Sequence, residues 1–171
     1  TGVRVHPVSA ATIGLAGSTP APWREMLAAG CVAISDDGKP VADAGMLGQV
    51  LHATAELGVP YLSHAECPAH FRGPIHDGEA AHRFGVRGIP TACEWEAVRN
   101  ELHVAGSLGA RIHICHVSTR ESIDALRTSG RELTLLVELR SPRSRVACPT
   151  AWPHTAHRLR APSDLWRQRR P

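Results

Sequence analysis

The sequence predicts an α/β fold built on a parallel sheet or barrel, and three observations carry that expectation. Short apolar runs alternate with segments of helical periodicity. Glycines stop the helical segments and lead almost at once into the next apolar run. Three of those runs then close on Asp37, His64 and His116. Strand, helix, Gly, strand in repetition is the pattern of parallel α/β units. Ligands in such folds gather where strands end and loops toward helices begin.

Taken in order, Val3 to Val8 alternates apolar and polar residues as a strand does. A helix is expected from near Ser18 or Thr19, with Pro20 in its first turn, Trp23, Met26 and Leu27 on one face, and a stop at Gly30. Cys31 to Ile34 is the next strand, running into the acidic turn Asp36-Asp37-Gly38-Lys39-Pro40. Asp43 caps a second helix with Met46, Leu47, Val50, Leu51, Thr54 and Leu57 at helical spacing and Gly58 as a left-handed stop. Val59 to Ser63 is a strand, and a long connection from Glu66 to Pro90 follows His64. Thr91-Ala-Cys-Glu94 reads as a capping box for a helix ending at Gly109, and the next strand runs to His116. Ser118-Thr-Arg-Glu121 is a second box, opening a short helix with Ile123 and Leu126 inward and a stop at Gly130. Leu133 to Leu139 completes the pattern as one more strand.

With 171 residues, 43% of them hydrophobic, the chain is long enough for one domain with a proper core. Its formal charge of +3 comes from the tail, where seven arginines from Arg143 to Arg170 face one acid, Asp164. The remainder is net acidic, and no groove-reading or base-stacking motif is present, so nucleic acid is not the expected partner. Five cysteines without a CxxC pair fit free thiols in a reducing cytosol. No apolar run approaches about 18 residues, so neither a membrane span nor a secretion signal is expected, and the cytoplasm is the expected location. The chain opens on Thr1 without a methionine and enters a strand-like run directly, which reads as an internal fragment. Residues 1–138 read as one barrel portion. Residues 139–171, rich in Arg and Pro, read as a disordered or out-of-frame tail, since a single lysine, Lys39, against many arginines is what a GC-rich gene gives.

Asp and neutral His are good zinc ligands, and a catalytic zinc takes about three of them plus an open water position. Each of the three strand-end residues alone is ordinary, but their recurrence at equivalent points of successive units points to a site. There is no HExxH, so spacing alone does not identify the metal. His113 is expected to face away from His116 as a structural histidine, and Cys115 to be a buried, inert thiol. His70, His76 and His82 fall in the long connection, where solvation is the default.

On Gly30-Cys-Val-Ala-Ile-Ser-Asp-Asp-Gly-Lys-Pro-Val41, Gly58-Val-Pro-Tyr-Leu-Ser-His-Ala-Glu66, Gly88-Ile-Pro90 leading to Glu94, and Gly109-Ala-Arg-Ile-His-Ile-Cys-His-Val-Ser-Thr119, the chain resembles bacterial dihydroorotases of the amidohydrolase superfamily. The resemblance runs from about Val3 to Gly130. It implies a partial (β/α)8 barrel of the TIM type, about strands three to six or seven. The implied activity is zinc-dependent interconversion of N-carbamoyl-L-aspartate and (S)-dihydroorotate in pyrimidine synthesis, with one or two Zn2+ per intact site. It implies that Asp37 is the metal-bridging carboxylate and that His64 and His116 are metal histidines. Hydantoinases and allantoinases carry a carbamylated lysine at the bridging position, so Asp37 favours dihydroorotase. The family's His-x-His pair, its substrate-binding Arg and Asn and its general-base Asp are expected outside these residues, so no catalytic residue is assigned and the chain alone is expected to be inactive. The resemblance also implies an aspartate carbamoyltransferase or a second copy as partner, and leaves a non-catalytic scaffold or another cyclic-amide hydrolase as alternatives.

Overall fold

A computed structural model describes residues 2 and 4–129. Gly130, the run from Leu133 to Leu139 and the 139–171 tail lie outside the described residues. Four strands, β1 (Ser9–Ala10), β2 (Ile34–Ser35), β3 (Tyr61–Ser63) and β6 (Ile112–Ile114), form one all-parallel sheet in the order β1-β2-β3-β6. That order follows the chain without reversal, which is the winding of a barrel rather than of a doubly wound sheet. The intervening helices are α1 (Trp23–Ala28), α2 (Ala44–Leu57) and α4 (Ala92–Leu108), and α5 (Arg120–Thr128) follows β6. Among the described residues no helix is long and apolar enough to cross a membrane.

The best-specified element is α2. The Asp43 carboxylate accepts the Met46 N–H at 2.7 Å, satisfying one orphan donor of the first turn. Gly58 ends the helix at φ 68°, a conformation that glycine adopts without a Cβ penalty. Met46, Leu47, Val50, Leu51 and Thr54 make its buried face. They pack on Ile34, Tyr61, Ile112 and Ile114 from the sheet and on Val98, Ala105 and Leu126 from α4 and α5, so a single helix–sheet layer is the core.

Several expected boundaries are corrected. The first strand lies beyond the described part of the expected run Val3 to Val8: Val5 is 85% exposed, the Pro7 carbonyl accepts Val32 N–H at 3.0 Å, and the ladder proper starts at Ser9, whose N–H donates to Ala33. The first helix starts at Trp23, not near Ser18, because residues 19–21 fold back on the end of β1. There the Thr19 carbonyl accepts from Ile13 N–H and Ala21 N–H donates to Ala11. The next strands begin two or three residues later than expected. The connection from Glu66 to Pro90 is not a bare loop. It holds β4 (Ile75–His76), α3 (Glu79–Phe84) and β5 (Gly88–Ile89), with β4 and β5 paired in parallel. Glycine is required where these pieces touch, since a Cβ on Gly73 would lie 1.9 Å from the Arg87 carbonyl and one on Gly88 2.2 Å from the Asp77 Cα.

Neither capping box forms as written. Thr91 is helical itself (φ −55°, ψ −30°) and makes no side-chain cap, because Glu94 is engaged elsewhere. At α5 the cap is Thr119, accepting from Ser122 N–H at 3.3 Å. Ser118, one residue earlier, is committed to Glu94.

A candidate metal centre at the strand ends

Asp37, His64 and His116 follow β2, β3 and β6 within two residues, so the parallel register of those strands brings them to one edge of the sheet. Asp37 Oδ1 lies 3.1 Å from His64 Nδ1 and 3.1 Å from His116 Nε2, and the two ring nitrogens are 2.9 Å apart. The imidazoles meet edge to face, with centroids 4.6 Å apart. Three donor atoms that close together fit a small divalent cation. Asp37, His64 and His116 would hold such an ion through one carboxylate oxygen and two imidazole nitrogens, donor types that zinc takes.

The surroundings aim these donors. His64 Nε2 lies 3.5 Å from the Glu66 carboxylate, the arrangement in which the far ring proton is held by an acid and the near nitrogen is left as a lone pair. His116 has φ 38°, a backbone conformation uncommon for any residue with a Cβ, and it sits at the point where the chain leaves β6. What holds it there is Glu94. Its carboxylate accepts the N–H groups of Ser118 and Thr119 at 2.9–3.1 Å and the Thr119 hydroxyl at 2.8 Å, and also accepts the Ser118 hydroxyl. Burial pushes the Glu94 carboxyl up, but the hydrogen bonds from Ser118 and Thr119 outweigh it and hold it below the ordinary glutamate range. Asp37 behaves similarly: desolvation raises it, and hydrogen bonds from His116, Gly38 N–H and His64 together bring it below the usual carboxylate value.

Its neighbour Asp36 has a different task. It is 2% exposed, and its carboxylate accepts Ala11 N–H at 2.8 Å, Thr12 N–H at 3.0 Å and the Thr12 hydroxyl, tying the end of β1 to the end of β2. The two adjacent acids of the turn are thus divided between scaffold and site. A cavity of about 500 Å3 opens beside His64 and His116, walled by these two and by Glu66, Glu94, Ser118 and Phe71. That volume suits a small molecule.

His113 and Cys115 are buried, as the alternation implies. Sequence reasoning passed over Glu66 and Glu94. The spacing His64-x-Glu66 was a legible hint for the first. Nothing local points from Glu94 to Ser118, 24 residues away. It also set aside His70, whose Nε2 lies 3.0 Å from Glu96 with Cys67 alongside.

Comparison with known proteins gives the family. The family model described as dihydro-orotase-like matches residues 1–122. A dihydroorotase of Desulforapulum autotrophicum is 45% identical over 125 residues, covering 72% of this chain and 29% of that protein. Dihydroorotases of Geobacillus sp. and Anaeromyxobacter dehalogenans are 36% and 37% identical over 130 residues, each over 75% of this chain and 30% of theirs. The chain therefore spans about 30% of the length of the curated relatives it matches. Among solved structures, a D-hydantoinase (dihydropyrimidinase) from Thermus sp. superposes with TM-score 0.52 at 22% identity, covering 77% of this chain and 30% of that one. A second D-hydantoinase gives 0.52 at 18%, over 67% and 27%. These superpositions carry the fold, a partial TIM-type barrel. On the family match over most of its length, the chain belongs to the dihydroorotase-like family.

Proposed function

We propose that this chain is the central portion of a zinc-dependent cyclic amidohydrolase of the cytoplasm, a dihydroorotase interconverting N-carbamoyl-L-aspartate and (S)-dihydroorotate in pyrimidine synthesis. The observation that carries the reading is the convergence of Asp37, His64 and His116 within 3.1 Å at the ends of three parallel strands. In this reading those three residues hold the cation. Glu66 takes the far proton of His64, so that Nδ1 presents its lone pair. Glu94 fixes the turn after His116 and with it the imidazole. When bound, the cation supplies Lewis-acid polarisation of an amide carbonyl and acidifies a water molecule. Ser118 and Thr119 border the cavity, and residues 1–138 act as the barrel portion. The 171 residues contain no His-x-His pair, so the chain by itself is expected to bind metal and ligand without turning over substrate.

The test is zinc uptake by the 171-residue chain in equilibrium dialysis, followed by thermal shift of the loaded chain with dihydroorotate and with hydantoin. We expect D37N and H116A each to lose one equivalent of zinc, and dihydroorotate to raise the melting temperature where hydantoin does not. Undiminished zinc in both variants would sink the metal assignment. Protection by hydantoin alone would move the reading to a hydantoinase.

A further inference from the structure

Outside the strand-end cluster the described residues hold one other mixed group of metal-competent donors. Cys67, His70 and Glu96 place a thiol sulfur, an imidazole nitrogen and a carboxylate oxygen within 4.8 Å of one another. The sequence assigns His70 to solvent, and an exposed His–Glu ion pair alone would be worth little. Three further observations separate this group from a chance pair.

The scaffold is built before any ligand arrives. Cys67 N–H donates to the Cys93 carbonyl at 2.7 Å, and the Cys67 carbonyl accepts from His70 N–H at 3.0 Å and from the Cys93 thiol at 3.4 Å. The turn 67–70 is therefore docked on the first turn of α4, the helix that carries Glu96. The geometry is close to what a cation needs: His70 Nε2 and Glu96 Oε2 are already 3.0 Å apart. Tetrahedral zinc sets sulfur and nitrogen about 3.6 Å apart, so the thiol must close by at most about 1.2 Å, within reach of a χ1 adjustment. The third observation lies behind the group. A cavity of about 240 Å3 is walled by Cys67, Glu96, Glu66 and Glu101. Glu101 is 4% exposed, and its Oε2 has no hydrogen-bond partner, although the Ser63 hydroxyl is nearby. A buried carboxyl oxygen without a partner is costly, and a cation bound beside it would offset that cost.

We propose that Cys67, His70 and Glu96 form a second, thiolate-containing site for a zinc-type divalent cation. Binding releases the thiol proton to solvent and forms one Cys67 S–metal, one His70 N–metal and one Glu96 O–metal bond, leaving a position open. Thiolate with imidazole selects a zinc-like ion over magnesium or calcium. The bound ion clips the start of the 66–90 segment to α4, one residue from Glu66. The site does not depend on the assignment of Asp37, His64 and His116.

Cobalt(II) distinguishes the two sites, because only a thiolate ligand gives an intense sulfur-to-cobalt charge-transfer absorption in the near ultraviolet. The full 171-residue chain titrated with Co2+ is expected to develop that band with one equivalent. The band should vanish in C67S, weaken at least tenfold in apparent affinity in H70A, and persist in the H64A/H116A double variant. Absence of the band in the parent chain overturns the proposal. So does its persistence in C67S, which would assign it to another cysteine. Should C67S fail to fold, alkylation of the parent chain mapped by mass spectrometry decides. Zinc is expected to slow modification of Cys67 at least tenfold, and an unchanged rate overturns the site.

Discussion

Changing Glu94 to Gln removes one charge from the most heavily bonded carboxylate near the strand-end cluster. The parent side chain accepts from two backbone N–H groups and two hydroxyls on Ser118 and Thr119. Glutamine keeps one acceptor oxygen and turns the other into a donor that faces Ser118 N–H. The loss is thus about one charge-assisted hydrogen bond plus weakening of the others, roughly 1.5–3 kcal/mol. For a chain of this size each kcal/mol moves the melting temperature by about 2–4 °C, so E94Q should melt roughly 3–12 °C lower at neutral pH. The pH dependence gives a sharper signature. The folded carboxyl titrates below its unfolded value of 4.5, so its contribution is present above that pH and is lost as the pH falls through the folded pKa. Circular-dichroism melts of parent and variant, carried from neutral pH down through about pH 4, should therefore converge at the acid end. Parallel curves with a constant offset would refute the reasoning, because the cost would then be steric and independent of charge. Curves that coincide at pH 7 would refute it also.

Three other outcomes follow from single contacts. Asp36→Ala strands Thr12 N–H and the Thr12 hydroxyl in a buried place and leaves Ala11 N–H only its ladder acceptor, the Ser35 carbonyl, so it should cost about 2–4 kcal/mol in urea unfolding; a loss under about 1 kcal/mol would mean that water replaces the carboxylate. Asp43→Ala removes the α2 cap and should cost about 1 kcal/mol by the same assay. Glu101, pushed up to about 7 by burial, keeps a proton that the unfolded chain releases from about pH 4.5, so the parent loses stability as pH rises across that window. With chelator present, E101Q should gain on the parent by on the order of 3 kcal/mol between the two ends of the window, and a flat difference would contradict it.

What could be read in advance divides along a physical line. The ends of α2 were legible because the cap and the left-handed stop are local events, decided by Asp43 and Gly58 themselves. The strand-end residues were legible because parallel strands repeat one geometry, so Asp37, His64 and His116 needed only their place at the ends of the runs. The start of β1 was not, since the ladder forms only where Ala33 and Ser35 face it, while the described part of the alternating run before it offers Val32 N–H the Pro7 carbonyl without extending the ladder. Thr91 and Glu94 spelled a cap, yet the carboxylate found four donors in a turn 24 residues downstream. The short elements between Glu66 and Pro90 rest on the close backbone approach at Gly73 and Gly88, which no periodicity encodes. Cys67, His70 and Glu96 became a group only through the docking of one turn on α4.

The separations along the chain between the strand-end donors, 27, 52 and 79 residues, carry a consequence for folding. A pocket assembled from contacts this remote cannot exist in a chain whose sheet is half formed, because a one-residue slip of any strand moves its donor to the other face. Each donor reports the register of its own strand, and all three must be right at once. On the proposed metal-binding reading, cation capture would be a proofreading step on topology. A free ion at about a hundred times its dissociation constant would add some 2.7 kcal/mol to the correctly threaded sheet alone. Misregistered, compact competitors would gain nothing from it, so the ion would widen the energy gap that makes the fold unique.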